Sequence, residues 1–213
     1  KRFFASVQVD PFSKDAASTL EHYASLSRPN VFKMEISEQY GWSGMHRDLR
    51  VFDSPGMSDL WDIASKYKMA VMFDTGLIGT NGYQTEQFAK LADAYPSLPI
   101  IIEHGCMCKN DFDTDSELRP QWDAMAKLGR KENIYMGLTA IVETAGNMER
   151  AMWVLEHLLN IAGERKIVWG SDIPGNMRFW TYNNMIEWAE KAPCLTERQK
   201  DLFLAQNMLD MFK

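Results

Sequence analysis

Short apolar runs recur along the chain and alternate with segments of helical character. Six of these runs are rich in β-branched or other apolar residues and have the length of a strand. The predicted strands are Phe3–Val9, Val31–Ser37, Ala70–Gly76, Pro99–Gly105, Ile134–Ala140 and Lys166–Asp172. The repeat of strand plus helix is on the order of 30 residues, which is the size of a βαβ unit.

The segments between the runs carry apolar residues at helical spacing. The predicted helices cover residues 15–27, 57–68, 85–95, 120–129, 147–163 and 195–212. In the fifth helix the apolar positions form one face, at Met148, Met152, Leu155 and Leu159. The last helix begins with Thr196 as its N-cap, and Gln199 three residues later completes a capping box.

This alternation predicts an α/β fold in which helices cover a parallel sheet. Two architectures compete, an open doubly wound sheet and a closed TIM (β/α)8-type barrel. A doubly wound sheet that binds a dinucleotide carries G-x-G-x-x-G after its first strand, and this chain has none there. Because polar groups also end several strands, the barrel is favoured. No linker rich in Pro, Gly or Ser divides the chain, so residues 1–213 are interpreted as a single domain.

The polar residues at the strand ends are the candidates for chemistry. Glu35, Asp74, His104 and Asp172 each lie where an apolar run stops. Since side chains alternate between the faces of a strand, each is assigned to a face with the residues two and four positions before it. The expected sets are Lys33 with Glu35, Met72 with Asp74, Ile100 and Ile102 with His104, and Val168 and Gly170 with Asp172. If each set faces the barrel axis, the four polar side chains converge at one mouth.

Composition and charge exclude several classes of function. The formal net charge is −6, which argues against a nucleic-acid surface or a basic membrane anchor. No apolar stretch reaches the roughly 18 residues of a membrane span. The three cysteines do not have the spacing of a disulfide framework, so they are interpreted as reduced thiols of a cytoplasmic protein.

Five segments, taken in chain order, resemble the amidohydrolase-related family, a branch of the amidohydrolase superfamily. "FFASVQVDP" resembles the family's F-x-x-x-x-V-x-P strand, "LPIIIEHGC" its strand ending in H-x-G, and "ENIYMGLTA" its N-[VI]-Y strand. "KIVWGSDIP" resembles the G-S-D-x-P signature, and "LFLAQNMLDMF" resembles the closing motif, with Asn207 at the asparagine position. The resemblance implies a TIM barrel, of which this chain would carry strands three to eight.

The same resemblance implies roles for individual residues. Asp172 would deprotonate the attacking water, ligate a divalent metal ion, or do both, and His104 would polarise the substrate or relay a proton. The implied metal ion is zinc or manganese, with Asp172, Asp74 and His104 as its ligands. Two departures are visible: the H-x-H of the family's first strand does not occur in this chain, and Asp74 stands where a metal-binding histidine is frequent.

Three further residues are assigned to substrate binding. Arg178 follows the G-S-D-I-P loop and could bind a substrate carboxylate through its guanidinium fork. Lys33 and Glu35 could contact substrate at the mouth, or could form a structural ion pair inside the barrel.

The expected activity is hydrolysis of a small carboxylated or cyclic ester or amide by water that a metal ion or Asp172 activates. A non-oxidative decarboxylase on the same scaffold and a catalytically inactive binding or structural barrel are the alternatives. A small molecule is the expected partner, neither nucleic acid nor membrane is expected, and a homo-oligomer is left open.

Overall fold

The six predicted strands form one parallel sheet in a computed structural model of the chain. The strands are β1 (Ser6–Val7), β2 (Val31–Glu35), β3 (Ala70–Asp74), β4 (Ile100–Ile102), β5 (Ile134–Thr139) and β6 (Ile167–Gly170). The structure describes residues 5–27, 31–38, 41, 52, 55–107, 112, 114–139, 141, 147–178 and 180–212. The predicted start of the first strand, residues 3 and 4, lies outside these ranges.

The strand order follows the chain, from β1 to β6, and every neighbouring pair is parallel. In a doubly wound sheet the spatial order of the strands reverses about a central strand, whereas here it follows the chain throughout. The barrel-type order is therefore confirmed, and the open alternative is wrong. In this register Glu35 pairs with Asp74, and Thr139 pairs with Gly170. The carboxyl ends of neighbouring strands therefore carry their polar residues side by side.

Helices connect the strands at the positions that the apolar spacing predicts, and further helices follow β6, the first of which, at residues 182–190, was not predicted. They are α1 (Ala16–Ser27), α2 (Pro55–Lys66), α3 (Thr85–Ala94), α4 (Leu118–Lys127), α5 (Met148–Ala162), α6 (Tyr182–Glu190) and α7 (Glu197–Asp201). A π-helical segment, Leu202–Gln206, continues α7 into α8 (Asn207–Asp210). The predicted capping box of Thr196 and Gln199 begins α7. None of the described helices has the length and apolar character that crossing a membrane requires.

The two faces of the sheet have different cores. The face that packs against the helices holds the main hydrophobic core, to which each of the strands β2–β6 contributes alternate residues. The inner face holds a smaller apolar cluster built on Ala70, Ile101 and Val168. Met208, Met211 and Phe212, from the end of the chain, pack against that cluster. The amino-terminal half of the inner face is therefore apolar and covered, which leaves its polar residues at the carboxyl ends of the strands.

The alternation argument is wrong for β4. Ile100 and Ile102 belong to the core beneath the helices, whereas Ile101 belongs to the inner cluster. The inner-facing residue that follows them is Glu103 rather than His104, because alternation continues from Ile101. His104 reaches the mouth by another route: its φ of 58° breaks the strand and redirects its side chain.

The predicted apolar face of α5 is also partly wrong. The side chains buried on that helix are Ala151, Val154, Leu155 and Leu158, whereas Met148 is 38% exposed. Met152 and Leu159 pack only at the edge of the core. Two neighbouring stripes of this helix are apolar, so the sequence pattern does not decide which of them faces the sheet.

Asn207 joins the end of the chain to the start of β6. It is 2% exposed, and its side-chain amide donates to the carbonyl oxygens of Glu164, at 2.8 Å, and of Ile167, at 2.7 Å. These two bonds use both hydrogens of the Asn207 amide, so the buried donor group is fully paired. They anchor the helix whose end covers the inner cluster.

Asn207→Asp should destabilise the fold, because a carboxylate would face two carbonyl oxygens without donating to either. We expect the free energy of unfolding to fall by about 2 to 4 kcal/mol. Chemical denaturation of both proteins at neutral pH measures the difference. The exposed Asn160 of α5 supplies the control, since Asn160→Asp should change stability by no more than about 0.5 kcal/mol. Equal stabilities for Asn207→Asp and the wild type would contradict the anchoring role.

Candidate active site

Five polar side chains cluster at the carboxyl ends of β2 to β5. Glu35 ends β2, Asp74 ends β3, and Thr139 ends β5. Glu103 and His104 follow the last residue of β4 directly. The register of the sheet brings them together, because parallel strands end at the same edge.

His104 forms the centre of this cluster. Its Nε2 lies 3.1 Å from Oδ2 of Asp74, and its Nδ1 lies 3.1 Å from the carbonyl oxygen of Thr139. A carboxylate and a carbonyl both accept hydrogen bonds, so the arrangement favours an imidazolium that donates from both nitrogens. Burial lowers the pKa of His104, but the bond and charge of Asp74, the charge of Glu103 and the Thr139 carbonyl outweigh it and raise the pKa to about 9.

Glu35 and Asp74 are neighbouring carboxyl groups whose pKa values shift in opposite directions. Burial, and then the negative charge of Asp74, raise the pKa of Glu35 to about 7. Burial also acts to raise the pKa of Asp74, but hydrogen bonding and charge from His104 outweigh it and lower that pKa below its ordinary value. The amide of Gly76 donates to Asp74 Oδ1 as well, at 3.3 Å. At neutral pH the pair therefore holds an ionised Asp74 beside a Glu35 that titrates.

Glu103 is the residue that the sequence reasoning missed. It is 3% exposed, and the hydroxyl of Thr139 donates to its Oε2. Burial raises its pKa, and this effect outweighs the opposing charges of His104 and Lys33. The signal was available in the chain: Glu103 ends the run of three isoleucines, in phase with the inner-facing Ile101.

Two glycines on neighbouring strands make room for these groups. A Cβ at Gly137 would lie 2.8 Å from the Glu103 carboxylate, and a Cβ at Gly170 would lie 2.1 Å from the methyl group of Thr139. The absence of a side chain at Gly170 therefore permits the close approach of Thr139. Any side chain at position 170 would displace Thr139, which bonds to both His104 and Glu103.

Lys33 lies on β2, two residues before Glu35, and is half-buried. Its positive charge acts on Glu103, where it partly offsets the effect of burial on the pKa. Among the described residues no ion pair joins Lys33 to Glu35, so the structural pair that the sequence left open does not form there. Lys33 instead supplies a positive charge at the inner face.

Asp172 lies two residues beyond β6, outside the hydrogen-bonded cluster. Its backbone has a φ of 54°, its side chain is half-buried, and its carbonyl oxygen accepts from the amide of Asn176. Arg178 is the last residue of a short 3-10 helix, Gly175–Arg178, and its side chain lies outside the described part of the chain. The roles of Asp172 and Arg178 stay predictions.

The predicted metal ligands do not form a complete donor set in the described ranges. There, no group of three or more His, Cys, Asp or Glu side chains could hold a metal ion. A protein zinc site has at least three protein donors, and here His104 Nε2 is bonded to Asp74 instead. The structure brings Asp74 and His104 together as a hydrogen-bonded pair but does not join Asp172 to them.

A family model described as "Amidohydrolase" matches residues 1–213. The chain belongs to the amidohydrolase family. This confirms the resemblance that the strand motifs carried, from the first predicted strand to the closing helix. A search of curated proteins found no match to this sequence.

Solved amidohydrolases share the fold at low sequence identity. A putative 2-pyrone-4,6-dicarboxylic acid hydrolase from Pseudomonas putida has a TM-score of 0.74 and 14% identity, over 98% of this chain and 71% of that one. An amidohydrolase from Burkholderia multivorans with bound zinc has a TM-score of 0.69 and 15% identity, over 99% and 74%. A dihydroxybenzoic acid decarboxylase from a Polaromonas species, with bound manganese and an inhibitor, has a TM-score of 0.60 and 14% identity, over 95% and 66%.

These relatives confirm the barrel-type fold, and the six strands correspond to part of the relatives' length. They also confirm that divalent metal ions, zinc in one and manganese in another, occur in this superfamily. Because hydrolases and a decarboxylase share the scaffold, the fold does not by itself choose between the two reactions.

The protonation of His104 should make stability depend on pH. Its pKa is about 9 in the folded protein against an ordinary value of 6.5, so the imidazolium stabilises the fold fully below about pH 6.5. We expect that stabilisation, on the order of 3 kcal/mol, to be lost as the pH rises through about 9. Denaturant unfolding of wild type and His104→Asn between pH 7 and pH 10 measures the slope.

The variant should show a much flatter profile over that interval, since asparagine does not titrate. His22→Asn, on the exposed side of α1, serves as the control and should keep the wild-type slope. A wild-type slope in His104→Asn would show that the imidazole is not held as a cation.

Proposed function

We propose that this protein is a hydrolase that acts on a small carboxylated or cyclic ester or amide. The observation that carries the proposal is the division of protonation states along Glu35, Asp74 and His104. Three adjacent titratable groups hold a carboxyl that titrates near neutrality, an ionised carboxylate and an imidazolium. Titratable neighbours whose environments push their pKa values apart are typical of acid–base catalysis.

Hydrolysis requires a base for water, positive charge for the developing oxyanion and an acid for the leaving group. Asp172 is the proposed base, as the G-S-D-x-P resemblance implies. Glu35 is the proposed acid, because it retains its proton up to about pH 7. The water proton passes to Asp172, and the hydroxide oxygen bonds to the acyl carbon. The bond from the acyl carbon to the leaving oxygen or nitrogen then breaks, and the leaving atom takes the proton of Glu35.

The charge of the site supports a carboxylated substrate. His104 is held as an imidazolium and Lys33 contributes positive charge, whereas burial raises the pKa of Glu35 to about 7 and also raises the pKa of Glu103. Asp74, whose pKa is lowered, is already bonded to His104. A substrate carboxylate would meet positive charge, to which Arg178 would add its guanidinium.

A decarboxylase is the second candidate, because a solved decarboxylase shares this fold at a TM-score of 0.60. A cationic site that binds a carboxylate would serve that reaction as well. The two reactions differ in their products, since hydrolysis of an ester releases an acid and decarboxylation releases carbon dioxide. Small carboxylated lactones, esters and aromatic acids, assayed in parallel by pH-stat and by carbon dioxide release, test both. If neither product forms from the panel, the inactive binding barrel remains.

Replacing the proposed base tests Asp172. Asp172→Asn keeps the size of the side chain, and asparagine tolerates the left-handed backbone at this position as aspartate does. Loss of a general base should reduce turnover by about 10² to 10⁴. Turnover and thermal midpoint are measured side by side on the best substrate of the panel.

The exposed Asp201 of α7 supplies the control, since Asp201→Asn should keep both turnover and midpoint. Near wild-type turnover in Asp172→Asn would identify Asp172 as a turn residue and would reject its proposed role.

The pH profile tests Glu35. As a general acid it must be protonated, so the rate should fall as the pH rises through about 7, and fall again above about pH 9 when His104 loses its proton. Glu35→Gln should lose about 10² to 10⁴ in rate and lack the decline near pH 7. Glu38→Gln is the matched control, because Glu38 lies three residues later and accepts from the amide of Asn81. A decline near pH 7 that persists in Glu35→Gln would assign it to another group.

A further inference from the structure

The turn that carries His104 has an unusual backbone. Three consecutive residues adopt left-handed conformations: His104 has a φ of 58°, Gly105 of 60° and Cys106 of 62°. Only one of the three is a glycine, and left-handed backbone is unfavourable for residues with a Cβ. Such a conformation persists only where the surrounding structure holds it in place.

Two side chains from outside the turn hold its carbonyl groups. The indole N–H of Trp122 donates to the carbonyl oxygen of Gly105 at 2.8 Å, in a buried position. The hydroxyl of Tyr83 donates to the carbonyl oxygen of Cys106 at 3.0 Å. These bonds fix the direction of the Gly105–Cys106 and Cys106–Met107 peptide groups, and so constrain the turn that carries the His104 side chain.

Trp122 is itself held rigidly. It is fully buried on α4, and its ring centroid lies 5.0 Å from that of Phe112, 5.8 Å from that of Trp153 and 5.2 Å from that of His157. A donor packed among rings in this way has little freedom to follow a shifting carbonyl. This cluster of aromatic side chains therefore acts as a rigid support for the turn.

We propose that Trp122 and Tyr83 are positioning residues for His104. Each acts through a carbonyl group of the turn, whereas the imidazole itself bonds to Asp74 and Thr139. Without these bonds the turn relaxes from its left-handed conformation, and the imidazole moves away from Asp74 and the Thr139 carbonyl. The effect of this positioning on catalysis rests on the proposed function, in which His104 is a cation of the active site. The positioning itself does not depend on that function.

Chemical labelling of His104 tests the proposal without a substrate. Diethyl pyrocarbonate modifies neutral, accessible imidazole nitrogen, and both nitrogens of His104 are bonded in a side chain that is 9% exposed. Peptide mass spectrometry gives the labelling rate of each histidine in the folded full chain at pH 7, with His22 as the internal standard. We expect Trp122→Phe and Tyr83→Phe each to raise the His104 rate about fivefold, as the loss of one hydrogen bond predicts.

Two control variants separate positioning from general loosening. Trp188→Phe makes the same indole-to-phenyl change at another buried tryptophan, whose ring packs against Phe203 instead, and Tyr95→Phe removes a hydroxyl that bonds to Asp62 at 2.9 Å. Both should keep the wild-type labelling rate of His104. Tyr83→Phe removes only one oxygen atom, so it keeps the test valid if Trp122→Phe does not fold.

The outcomes distinguish this inference from the proposed function. Faster labelling of His104 in the two test variants, with wild-type rates in the controls, supports the positioning role even if no hydrolysis is found. Once a substrate is known, kcat should fall more than KM rises in the test variants. Wild-type labelling of His104 in folded Trp122→Phe and Tyr83→Phe overturns the inference, and so does equal acceleration in the controls.

Discussion

The bond between His104 and Asp74 is the interaction on which the candidate site depends. The His104 side chain is 9% exposed and that of Asp74 is 14% exposed, so both charges are largely removed from water. Burial of an ion pair is costly unless further hydrogen bonds complete it. Here the Thr139 carbonyl completes the imidazolium, and the Gly76 amide supports the carboxylate. Burial raises the pKa of Glu35 and of Glu103, and the charges of this pair modify the shift, Asp74 at both residues and His104 at Glu103.

The sheet divides its inner face between packing and chemistry. Met208, Met211 and Phe212 cover the apolar half, where Ala70, Ile101 and Val168 lie. The carboxyl ends of the strands are left for polar groups, and Gly137 and Gly170 provide the space that Glu103 and Thr139 occupy. The stability of the barrel and the chemistry of the mouth are thus assigned to opposite ends of the same strands, as is typical of this architecture.

The family model places the chain among the amidohydrolases, and solved structures that share its fold bear the names of different enzymes. Solved relatives contain zinc or manganese, and their names include a hydrolase and a decarboxylase. In the described part of this chain the polar side chains at the mouth are bonded to one another, and no three His, Cys, Asp or Glu side chains are grouped so as to hold a metal ion. The roles proposed for Glu35, His104 and Asp172 are accordingly to hold a proton, to release or accept it, and to stabilise charge.

The sequence by itself determined the class of fold and the neighbourhood of the site. Strands and helices alternate too regularly for another class, and polar residues at the ends of several strands indicate a common edge. The order of residues grouped Glu35, Asp74, His104 and Asp172, and the structure brings the first three of them together. The family followed from the strand motifs. These features follow from the spacing of apolar and polar residues that are close together in the chain, so the sequence contains them.

Only the tertiary structure decided which groups are bonded and how they are protonated. Alternation assigned His104 to the wrong set, because a left-handed residue breaks the two-residue period, and it was Glu103 that followed Ile101 onto the inner face. The pairing of His104 with Asp74 joins residues 30 positions apart, and the support from Trp122 comes from a helix on the opposite face of the sheet. A pKa depends on burial and on charges a few ångströms away in space, which the order of residues along the chain does not contain.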